Sequence, residues 1–260
     1  MNNNIENKIN LGGSLERGIS GNYELKITEI FKEAWNHTMK NLLSFSPSIV
    51  IFTVIHIGVF YIALKLQLLN FSIIIDILKN PNNIFDSNLI DSLFLSSFIT
   101  TIISAPIYAG ISLMAMSHVA GLSTKKLHII KGLQFTIPVI LATFLSLLIQ
   151  NIAEIIFPFL SLYFSVAFSN SILLICEKGV LPIQSLLFSF RAINKKLFVI
   201  IFIYLLLFLI FLLSILFYGI GLIFTIPFFF HVKGIIYRNM FGIELKIIST
   251  KKIHKKNFNA

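Results

Sequence analysis

The feature that most limits the possible folds is a stretch of 36 residues without a charged side chain, residues 197–232. A second long stretch, residues 127–176, contains only Lys131 and Glu154 as charged residues. Apolar runs of about 18 residues or more are typical of helices that cross a membrane. A soluble domain usually has about 25% charged residues, whereas this chain has 12%. The sequence therefore predicts an all-α integral membrane protein.

Six membrane spans account for the apolar runs. A helix needs about 20 residues, at a rise of about 1.5 Å per residue, to cross a hydrocarbon core of about 30 Å. The two longest runs have double that length, and we expect them to turn at residues 150–154 before Pro158 and at residues 218–221. The predicted spans are about 43–66, 93–116, 133–153, 156–176, 197–217 and 219–238. They form a six-helix bundle of three transmembrane hairpins within a membrane domain at residues 23–240.

Lysine and arginine are distributed unevenly between the two sides of the predicted bundle. With six spans, both termini lie on one side, and 19 of the 21 Lys and Arg residues fall on that side. Because loops rich in Lys and Arg stay in the cytoplasm, we expect both termini to be cytoplasmic. The net charge of +10 then reflects topology and attraction to anionic lipid rather than binding of nucleic acid.

The two ends differ in composition from the middle of the chain. Residues 1–22 are rich in Asn and Gly, which predicts a disordered cytoplasmic N-terminal tail. Residues 241–260 end in "TKKIHKKNFNA" and are predicted to form a basic cytoplasmic tail. No separate soluble domain is expected.

Three amphipathic segments precede the odd-numbered spans. Residues 23–41, 118–133 and 182–196 each combine an apolar stripe with charged residues, which favours a helix at the cytoplasmic membrane surface. A unit of one interfacial helix and one hairpin would then occur three times. In the last segment, "PIQSLLFSFRAINKK", the apolar stripe consists of Ile183, Leu186, Leu187, Phe190 and Ile193. The alternative is that these segments are not a repeat, because any six-span protein with cytoplasmic termini has three cytoplasmic segments that lead into its odd-numbered spans.

Basic side chains in these segments and in the C-terminal tail are candidate contacts for lipid headgroups. A lysine or arginine near an anionic membrane surface gains about 1 kcal/mol. The candidate residues are Lys125, Lys126, Arg191, Lys195, Lys196, Lys251 and Lys252. Membrane lipids are the expected partners, with anionic lipids and a second membrane protein as further candidates, and no nucleic-acid partner is expected.

Three polar residues form a candidate intramembrane site: His56, Asn170 and Glu154. An ionisable group at membrane depth points to a function, so His56 could relay protons or bind a ligand. We favour the alternative, a neutral imidazole that is hydrogen-bonded to a neighbouring helix. Asn170 is expected to serve helix packing, and Glu154 is expected to lie in a solvated turn. Convergence of His56, Asn170 and a kink at Pro106 on one cavity would favour transport, whereas separate helix contacts would favour packing.

Prolines and serines inside the predicted spans give weaker signals. Pro106 and Pro227 each remove a backbone hydrogen bond and are expected to kink their helices. Broken helices occur at transporter sites, although plain helix bundles contain them too. Ser161, Ser165 and Ser169 recur every four residues, which is a spacing that allows close helix packing. A polar conduit along these serines is the alternative.

Catalytic motifs are missing from the sequence. It contains no phosphate-binding glycine loop, metal-ligand triad or nucleophile motif. A single cysteine, Cys176, excludes an intramolecular disulfide and a cysteine-based metal site. A membrane hydrolase would need a cluster of His, Asp or Glu near one surface, and the predicted inner face offers mainly lysines. We therefore expect no enzyme activity, no catalytic residues, and no cofactor or metal.

Two patches of the chain resemble a known family. "SILLICEKGVLPIQSLLFSFRAINKKLFVIIFIYLLL" resembles the part of YciC-type bacterial inner-membrane proteins in which a charged turn with glycine precedes an amphipathic helix and the fifth span. The matching residues are Glu177, Lys178, Gly179, Ser185, Ser189 and Arg191. "HVAGLSTKKLHIIKGLQFTIPVILATFL" is similar to the family's loop before span three, including Gly121 and Pro138.

The resemblance covers the layout of residues 25–240, and this layout is also similar to the membrane domain of some glycerophosphodiester phosphodiesterases. It implies a six-span protein of the bacterial inner membrane and supplies no catalytic residues. These patterns together favour a non-enzymatic membrane-organising or accessory protein that interacts with lipids or membrane proteins. The alternative is a transporter or channel for a small solute or lipid.

Overall fold

A computed structural model of the protein describes residues 6–67, 87–216 and 218–248. The described chain is helical apart from one pair of short strands. The elements in chain order are β1 Glu6–Leu11, α1 Leu15–Ser20, α2 Ile27–Gln67, α3 Ser87–Val119, a 3₁₀ helix Lys126–Phe135, α4 Thr136–Ile156, α5 Pro158–Ala167, α6 Ser171–Lys178, α7 Pro182–Lys195, α8 Leu197–Leu216, α9 Leu222–Phe241 and β2 Ile243–Ile248. The all-α prediction is therefore confirmed.

Five helical segments of the described chain are long and apolar enough to cross a membrane. They are α2, α3, the 3₁₀ helix with α4, α5 with α6, and α8. These segments are compatible with a protein that crosses the membrane several times, but the predicted layout of six such helices is not reproduced. The helix at the sixth predicted position, α9, does not meet the same criterion. Its second half carries His231, Lys233 and Arg238, which lower its apolarity.

Helix α9 forms the centre of the bundle. From Thr225 onward nearly all of its side chains are buried, and the largest of them are Phe241 and Tyr237. They belong to a core that also takes residues from α2, α6, α7 and α8. A helix that is covered on all sides has no lipid-facing stripe. Protein rather than lipid therefore surrounds the charged residues of α9.

The first predicted interfacial helix is not a separate element. Residues 27–67 form the single helix α2, which is about 60 Å long and therefore about twice the thickness of the hydrocarbon core. The predicted stripe of residues 23–41 includes Ile30, Ala34 and Thr38, and all three are buried. Thr38 is hydrogen-bonded to His231 of α9. The stripe is therefore buried by packing on α9 rather than by lying on a membrane surface.

The described parts of the two chain ends are ordered and paired with each other. Strands β1 and β2 are antiparallel, with Glu6 opposite Ile248 and Leu11 opposite Ile243. The short helix α1 begins after Ser14, whose hydroxyl accepts a hydrogen bond from the Arg17 N–H. The predicted disorder of residues 1–22 is wrong for residues 6–20, because residues 6–11 pair with β2 and residues 15–20 form α1. Residues 1–5 and 249–260 lie outside the described residues.

The fourth predicted span is interrupted. Helix α5 ends at Ala167 and α6 begins at Ser171, whereas residues 156–176 were predicted as one continuous helix. At the break, the Ser189 hydroxyl of α7 donates to the Ala167 carbonyl at 2.7 Å and accepts from the Asn170 N–H at 3.2 Å. Irregular backbone at membrane depth must be satisfied by protein or by a wet cavity. Ser189, which belongs to another helix, forms two of the hydrogen bonds that the backbone needs at this break.

The second predicted interfacial helix is the 3₁₀ helix. Side chains three residues apart eclipse in this geometry, so the helix has three faces. The apolar face of Leu127, Ile130 and Leu133 is exposed, and the second face is basic, with Lys125, His128 and Lys131. The third face, with Ile129 and Gly132, is buried. The buried face lies directly on the α3 backbone. A Cβ atom on Gly132 would meet the Pro106 carbonyl at 2.0 Å, and one on Gly110 would meet the Ile129 carbonyl at 1.8 Å.

The third amphipathic segment forms α7, but its buried face differs from the predicted stripe. Of the predicted residues, only Leu186 and Ile193 are buried; Ile183 and Leu187 are exposed. Ser185, Ser189 and Ala192 complete the buried face. The Ala192 carbonyl accepts a hydrogen bond from the Tyr23 hydroxyl at 2.7 Å, and burial raises the pKa of Tyr23 to about 12. Helix α7 therefore packs into the bundle through polar contacts that an apolar pattern cannot reveal.

Candidate functional site in the helix bundle

The predicted intramembrane residue His56 packs against α3. Its Nδ1 atom lies 3.0 Å from the Ser104 hydroxyl, and its ring lies beside Phe52 with 5.4 Å between the ring centroids. The imidazole is partly buried. This arrangement is the contact with a neighbouring helix that we favoured for His56.

The other two predicted intramembrane residues lie elsewhere. Asn170 is buried at the break between α5 and α6, where its Nδ2 atom lies 3.6 Å from the Met240 sulfur. Its Oδ1 atom has no hydrogen-bond partner among the described residues. Glu154 is exposed near the end of α4. The structure therefore does not bring His56, Asn170 and Glu154 together.

The predicted lipid-headgroup residues lie on the surface where the structure describes them. Lys125, Lys126, Arg191 and Lys195 are exposed, and Lys196 is half-buried with its ammonium 5.7 Å from the centre of the Tyr23 ring. Lys251 and Lys252 lie outside the described residues. The exposed cations are therefore available to an anionic surface.

A different group of polar residues, together with several apolar ones, lines a partly open cavity of about 250 Å³ between the helices of the bundle. We call it the polar cavity. Its polar lining includes Thr101, Tyr108, Gln150, Ser169, Tyr204 and Lys233. These side chains come from α3, α4, α8, α9 and the break between α5 and α6. The polar cavity is therefore formed where most of the bundle's helices meet.

Lys233 is the charged residue in the wall of the polar cavity. Its side chain belongs to α9 and is only 6% exposed. Its ammonium donates a hydrogen bond to the Tyr108 hydroxyl at 2.9 Å and lies 4.8 Å from the centre of that ring. None of the ion pairs within the described part of the chain includes Lys233. A buried cation without a carboxylate is costly, and it therefore marks a candidate functional site.

The interrupted fourth span contributes serines to the polar cavity. Ser165, Ser169 and Ser171 line it, and the Tyr204 hydroxyl interacts with Ser169. Two of the three serines predicted to recur along this span, Ser165 and Ser169, therefore face a polar space. Broken helices beside polar cavities are a recurrent feature of transporter binding sites.

An apolar cavity of about 390 Å³ lies beside the polar cavity. The two cavities share three wall residues, Tyr108, Tyr204 and Phe229. The remaining wall of the apolar cavity comes from α8 and α9 and is hydrocarbon except for Thr225. Aromatic side chains therefore separate a polar compartment from an apolar one.

Two histidines form a buried hydrogen-bonded chain near the polar cavity. His118 Nε2 lies 2.7 Å from the Thr124 hydroxyl, His118 Nδ1 lies 3.0 Å from His231 Nε2, and His231 Nδ1 lies 3.0 Å from the Thr38 hydroxyl. The Thr38 hydroxyl donates its proton to the Ala34 carbonyl. It must then accept from His231.

That direction assigns a tautomer to each neutral imidazole in the chain. His231 carries its proton on Nδ1, so its Nε2 accepts from His118. His118 carries its proton on Nδ1, so its Nε2 accepts from the Thr124 hydroxyl. Every polar atom of the two rings is therefore satisfied without a charge. The chain links α2, α3 and α9.

A layer of ion pairs lies toward the end of the bundle that carries the described termini. Arg238 binds the Glu33 carboxylate through two nitrogens, and His37 contacts the same carboxylate at 3.4 Å. On another side, the Tyr237 hydroxyl donates to Glu177 at 2.7 Å. These charges are compensated by neighbours, which distinguishes them from Lys233.

The sequence interpretation missed Lys233, His118 and His231 as site residues. Lys233 and His231 lie near the end of a long apolar run, where basic side chains normally reach the membrane surface. The two side chains are buried because other helices cover α9, and the sequence around them does not indicate that packing. Within the described ranges, no group of three or more His, Cys, Asp or Glu residues is arranged to hold a metal ion.

No protein-family model, curated protein or solved structure matches the chain. The resemblance to YciC-type proteins therefore stays a prediction.

Proposed function

We propose that the protein transports a small solute or lipid that carries an anionic group, and that this group binds Lys233 in the polar cavity. The observation that supports the proposal is the buried ammonium of Lys233, which has no ion-pair partner among the described residues. Of the two functions expected from the sequence, transport is the one that gives this residue a role. No covalent chemistry is required.

Electrostatics favour an anion in this position. Moving a charged group out of water costs several kcal/mol, and a well-placed counter-charge with hydrogen bonds offsets that cost. The Tyr108 hydroxyl already accepts from Lys233 and can turn its own proton toward a ligand oxygen. The Thr143 hydroxyl lines the same cavity, has no hydrogen-bond partner among the described residues and offers a further donor. Charge-assisted hydrogen bonds of this kind are the strong ones.

The interrupted fourth span is the segment at which we expect the proposed transporter to change conformation. The break at residues 168–170 borders the polar cavity and is bonded to α7 through the Ser189 hydroxyl. Discontinuous helices in transporters rearrange around a binding site near the middle of the bilayer. A shift of α7 would therefore change the wall of the polar cavity through Ser189.

We further propose that α9 is a sixth crossing and that both termini are cytoplasmic, in a bacterial inner membrane. The antiparallel pairing of β1 with β2 supports this topology, because paired strands lie on one side of the membrane and an even number of crossings brings both ends there. Helix α9 is about 30 Å long, and the part from Thr225 onward that carries its charged residues is largely covered by protein, so that part needs no apolar surface. The excess of Lys and Arg on that side supports the cytoplasmic orientation.

Reporter fusions test the proposed topology. A fluorescent protein that folds only in the cytoplasm should be active at both the N-terminus and the C-terminus, and a phosphatase active only in the periplasm should be inactive at both. Opposite results at the two ends would contradict an even number of crossings.

Transport is tested in proteoliposomes. Uptake of acetate, of inorganic phosphate and of a long-chain carboxylate would be compared for the wild type, Lys233→Gln and Lys196→Gln. Lys196 is the matched control because it is a half-buried lysine outside the polar cavity. We expect uptake of at least one of these anions by the wild type, loss of that uptake with Lys233→Gln, and retention with Lys196→Gln. Equal uptake by the wild type and Lys233→Gln, or no uptake by the wild type, would refute the proposal.

A second candidate function is that of a lipid-associated accessory protein. The 3₁₀ helix supports it, because its exposed leucine face and basic face suit the boundary between acyl chains and headgroups. Replacing Lys125, Lys126, Arg191 and Lys195 by Gln should reduce the anionic lipid that remains bound after purification. Native mass spectrometry of the two purified proteins measures this, and identical lipid retention would contradict a headgroup role.

A further inference from the structure

We infer that the ligand is an anionic amphiphile with one acyl chain, whose acidic headgroup binds Lys233 and whose chain occupies the apolar cavity. This inference rests on the proposed function and specifies its substrate class. A small polar anion would use only the polar cavity, whereas a neutral apolar molecule would use only the apolar one. Because the two cavities lie side by side, one ligand with a polar headgroup and an apolar chain fits both of them.

The shared wall makes the two cavities one candidate site. Tyr108, Tyr204 and Phe229 each line both cavities. Tyr108 is also the hydrogen-bond partner of Lys233, so the residue that contacts the cation also borders the apolar space. A ligand that passes between these rings would meet the ammonium at one end and hydrocarbon at the other.

Away from the shared wall, the apolar cavity offers nothing that would hold a polar solute. Its one aliphatic hydroxyl, that of Thr225, is already hydrogen-bonded to Ser214 and to the Gly221 carbonyl. The rest of the lining away from the shared wall is Leu, Ile and Phe. Cavities of this kind exclude water and bind apolar molecules. An acyl chain is the abundant apolar group that a membrane supplies.

The cavity also borders the surface that faces lipid. Phe208 and Phe211 of α8 line it and are themselves exposed, Phe208 by 56%. Exposed phenylalanines on an apolar helix face acyl chains in a membrane. A lipid can therefore enter sideways from the bilayer without crossing water.

The direction of the site matches that of a lipid in the inner leaflet. Along α9, Lys233 lies eight residues, or about 12 Å, closer than Thr225 to the end that carries β2. With the proposed cytoplasmic termini, the headgroup at Lys233 points toward the cytoplasm and the chain toward the bilayer centre. A single chain is favoured because the apolar cavity, at about 390 Å³, lies near the lower end of the size range of ligand pockets.

Binding of defined probes to the purified full chain tests the inference. The probes are hexadecanoate, its neutral analogue hexadecanol, and acetate, measured by isothermal titration calorimetry in a nonionic detergent. The variants are Lys233→Gln, which removes the headgroup contact, and Ile226→Phe, which fills the apolar cavity. Ile223→Phe is the matched control, because Ile223 lies on the same helix, is exposed, and does not line the cavity.

We expect hexadecanoate to bind the wild type and to bind both Lys233→Gln and Ile226→Phe more weakly by about tenfold or more, the scale of one lost charge-assisted contact. Ile223→Phe should bind like the wild type, and hexadecanol and acetate should bind weakly. A melting temperature for each variant confirms that it is folded, and Leu207→Phe, which fills the same cavity from α8, replaces Ile226→Phe if the latter does not fold.

The outcomes separate this inference from the proposed function. If Lys233→Gln abolishes anion binding but Ile226→Phe has no effect, or if acetate binds as tightly as hexadecanoate, the anion site stands and the acyl-chain site is wrong. If hexadecanol binds as tightly as hexadecanoate, the headgroup is not recognised and the inference is refuted. If Lys233→Gln binds hexadecanoate like the wild type, both proposals fail.

Discussion

Helices α8 and α9 have the same length of 20 residues and follow one another through a short turn, yet they are built differently. Helix α8 is almost entirely Leu, Ile and Phe, and most of these side chains are exposed. Helix α9 carries His231, Lys233 and Arg238, and nearly all of its second half is buried. In these two helices apolarity therefore follows exposure: the exposed helix is almost entirely hydrocarbon, whereas the buried one carries charged and polar side chains.

This contrast has a physical cause. A helix in contact with acyl chains must expose hydrocarbon, because every exposed polar group would cost free energy. A helix surrounded by other helices can carry polar groups that are satisfied inside the protein. In α9 these groups are His231, which belongs to the hydrogen-bonded chain, and Lys233, which borders the polar cavity. The shielded helix is therefore the one that can hold a site.

The largest expected difference between shielded and lipid-facing positions concerns glycine. Gly110→Ala should prevent folding, because the new Cβ atom would lie 1.8 Å from the Ile129 carbonyl. Gly58→Ala should be harmless, since no atom lies within 4 Å of the corresponding Cβ position. Size-exclusion chromatography of both variants after the same purification measures the yield of monodisperse protein. Equal yields would show that α3 and the 3₁₀ helix are not packed backbone to backbone.

The next effect concerns phenylalanine truncation. Phe241→Ala on α9 should cost about 3–5 kcal/mol, as expected for a fully buried ring. Phe208→Ala on α8 should change the free energy of unfolding much less, because that ring is 56% exposed. Unfolding by denaturant in mixed micelles compares the two variants with the wild type. A loss with Phe208→Ala as large as that with Phe241→Ala would mean that α8 is not the lipid-facing member of the pair.

A smaller effect is expected from the histidine chain. His118→Phe leaves the Thr124 hydroxyl and His231 Nε2 without their partner, which should cost about 1–3 kcal/mol. His231→Phe should have a comparable cost, and the double variant should lose less than the sum of the two. Unfolding of all four proteins in one detergent provides the double-mutant cycle. Strictly additive losses would exclude a direct His118–His231 hydrogen bond.

The smallest effect concerns the break between α5 and α6. Ser189→Ala removes one interhelical hydroxyl that serves two backbone groups, and we expect a loss of about 1 kcal/mol, within the range measured for such bonds in membranes. Ser185→Ala is the control, since that buried hydroxyl bonds only the Pro182 carbonyl of its own helix. If Ser185→Ala destabilises the protein as much as Ser189→Ala, the break does not depend on Ser189.

The turns of the bundle could be predicted because their causes are local. Gly219 and Gly221 lie between α8 and α9, and Pro158 begins α5, as their turn chemistry predicts. The predicted turn at residues 150–154 is wrong, because these residues lie inside α4, which continues to Ile156. The break after Ala167 could not be predicted, because it depends on Ser189, a residue on another helix. The pairing of β1 with β2 was missed for the same reason, since more than 230 residues separate Leu11 from Ile243.

The site was harder to predict than the fold. His56 was a candidate because it is an isolated ionisable residue inside an apolar span, yet in the structure it contacts a single hydroxyl, that of Ser104 on the next helix. Lys233 gives no such signal, because a basic side chain near the end of an apolar run normally reaches the membrane surface. Lys233 is buried because other helices surround α9, and the sequence of residues 219–238 contains no pattern that indicates those helices.

Photolabelling from the lipid side tests the central difference between α8 and α9 most directly. The wild-type protein in nanodiscs would be exposed to a lipid with a diazirine on its acyl chain, and labelled residues would be mapped by mass spectrometry. We expect labels along the whole of α8, from Leu197 to Leu216, and on α9 only before His231. Labels spread evenly over the second half of α9 would show that this helix faces lipid and would contradict its shielded role.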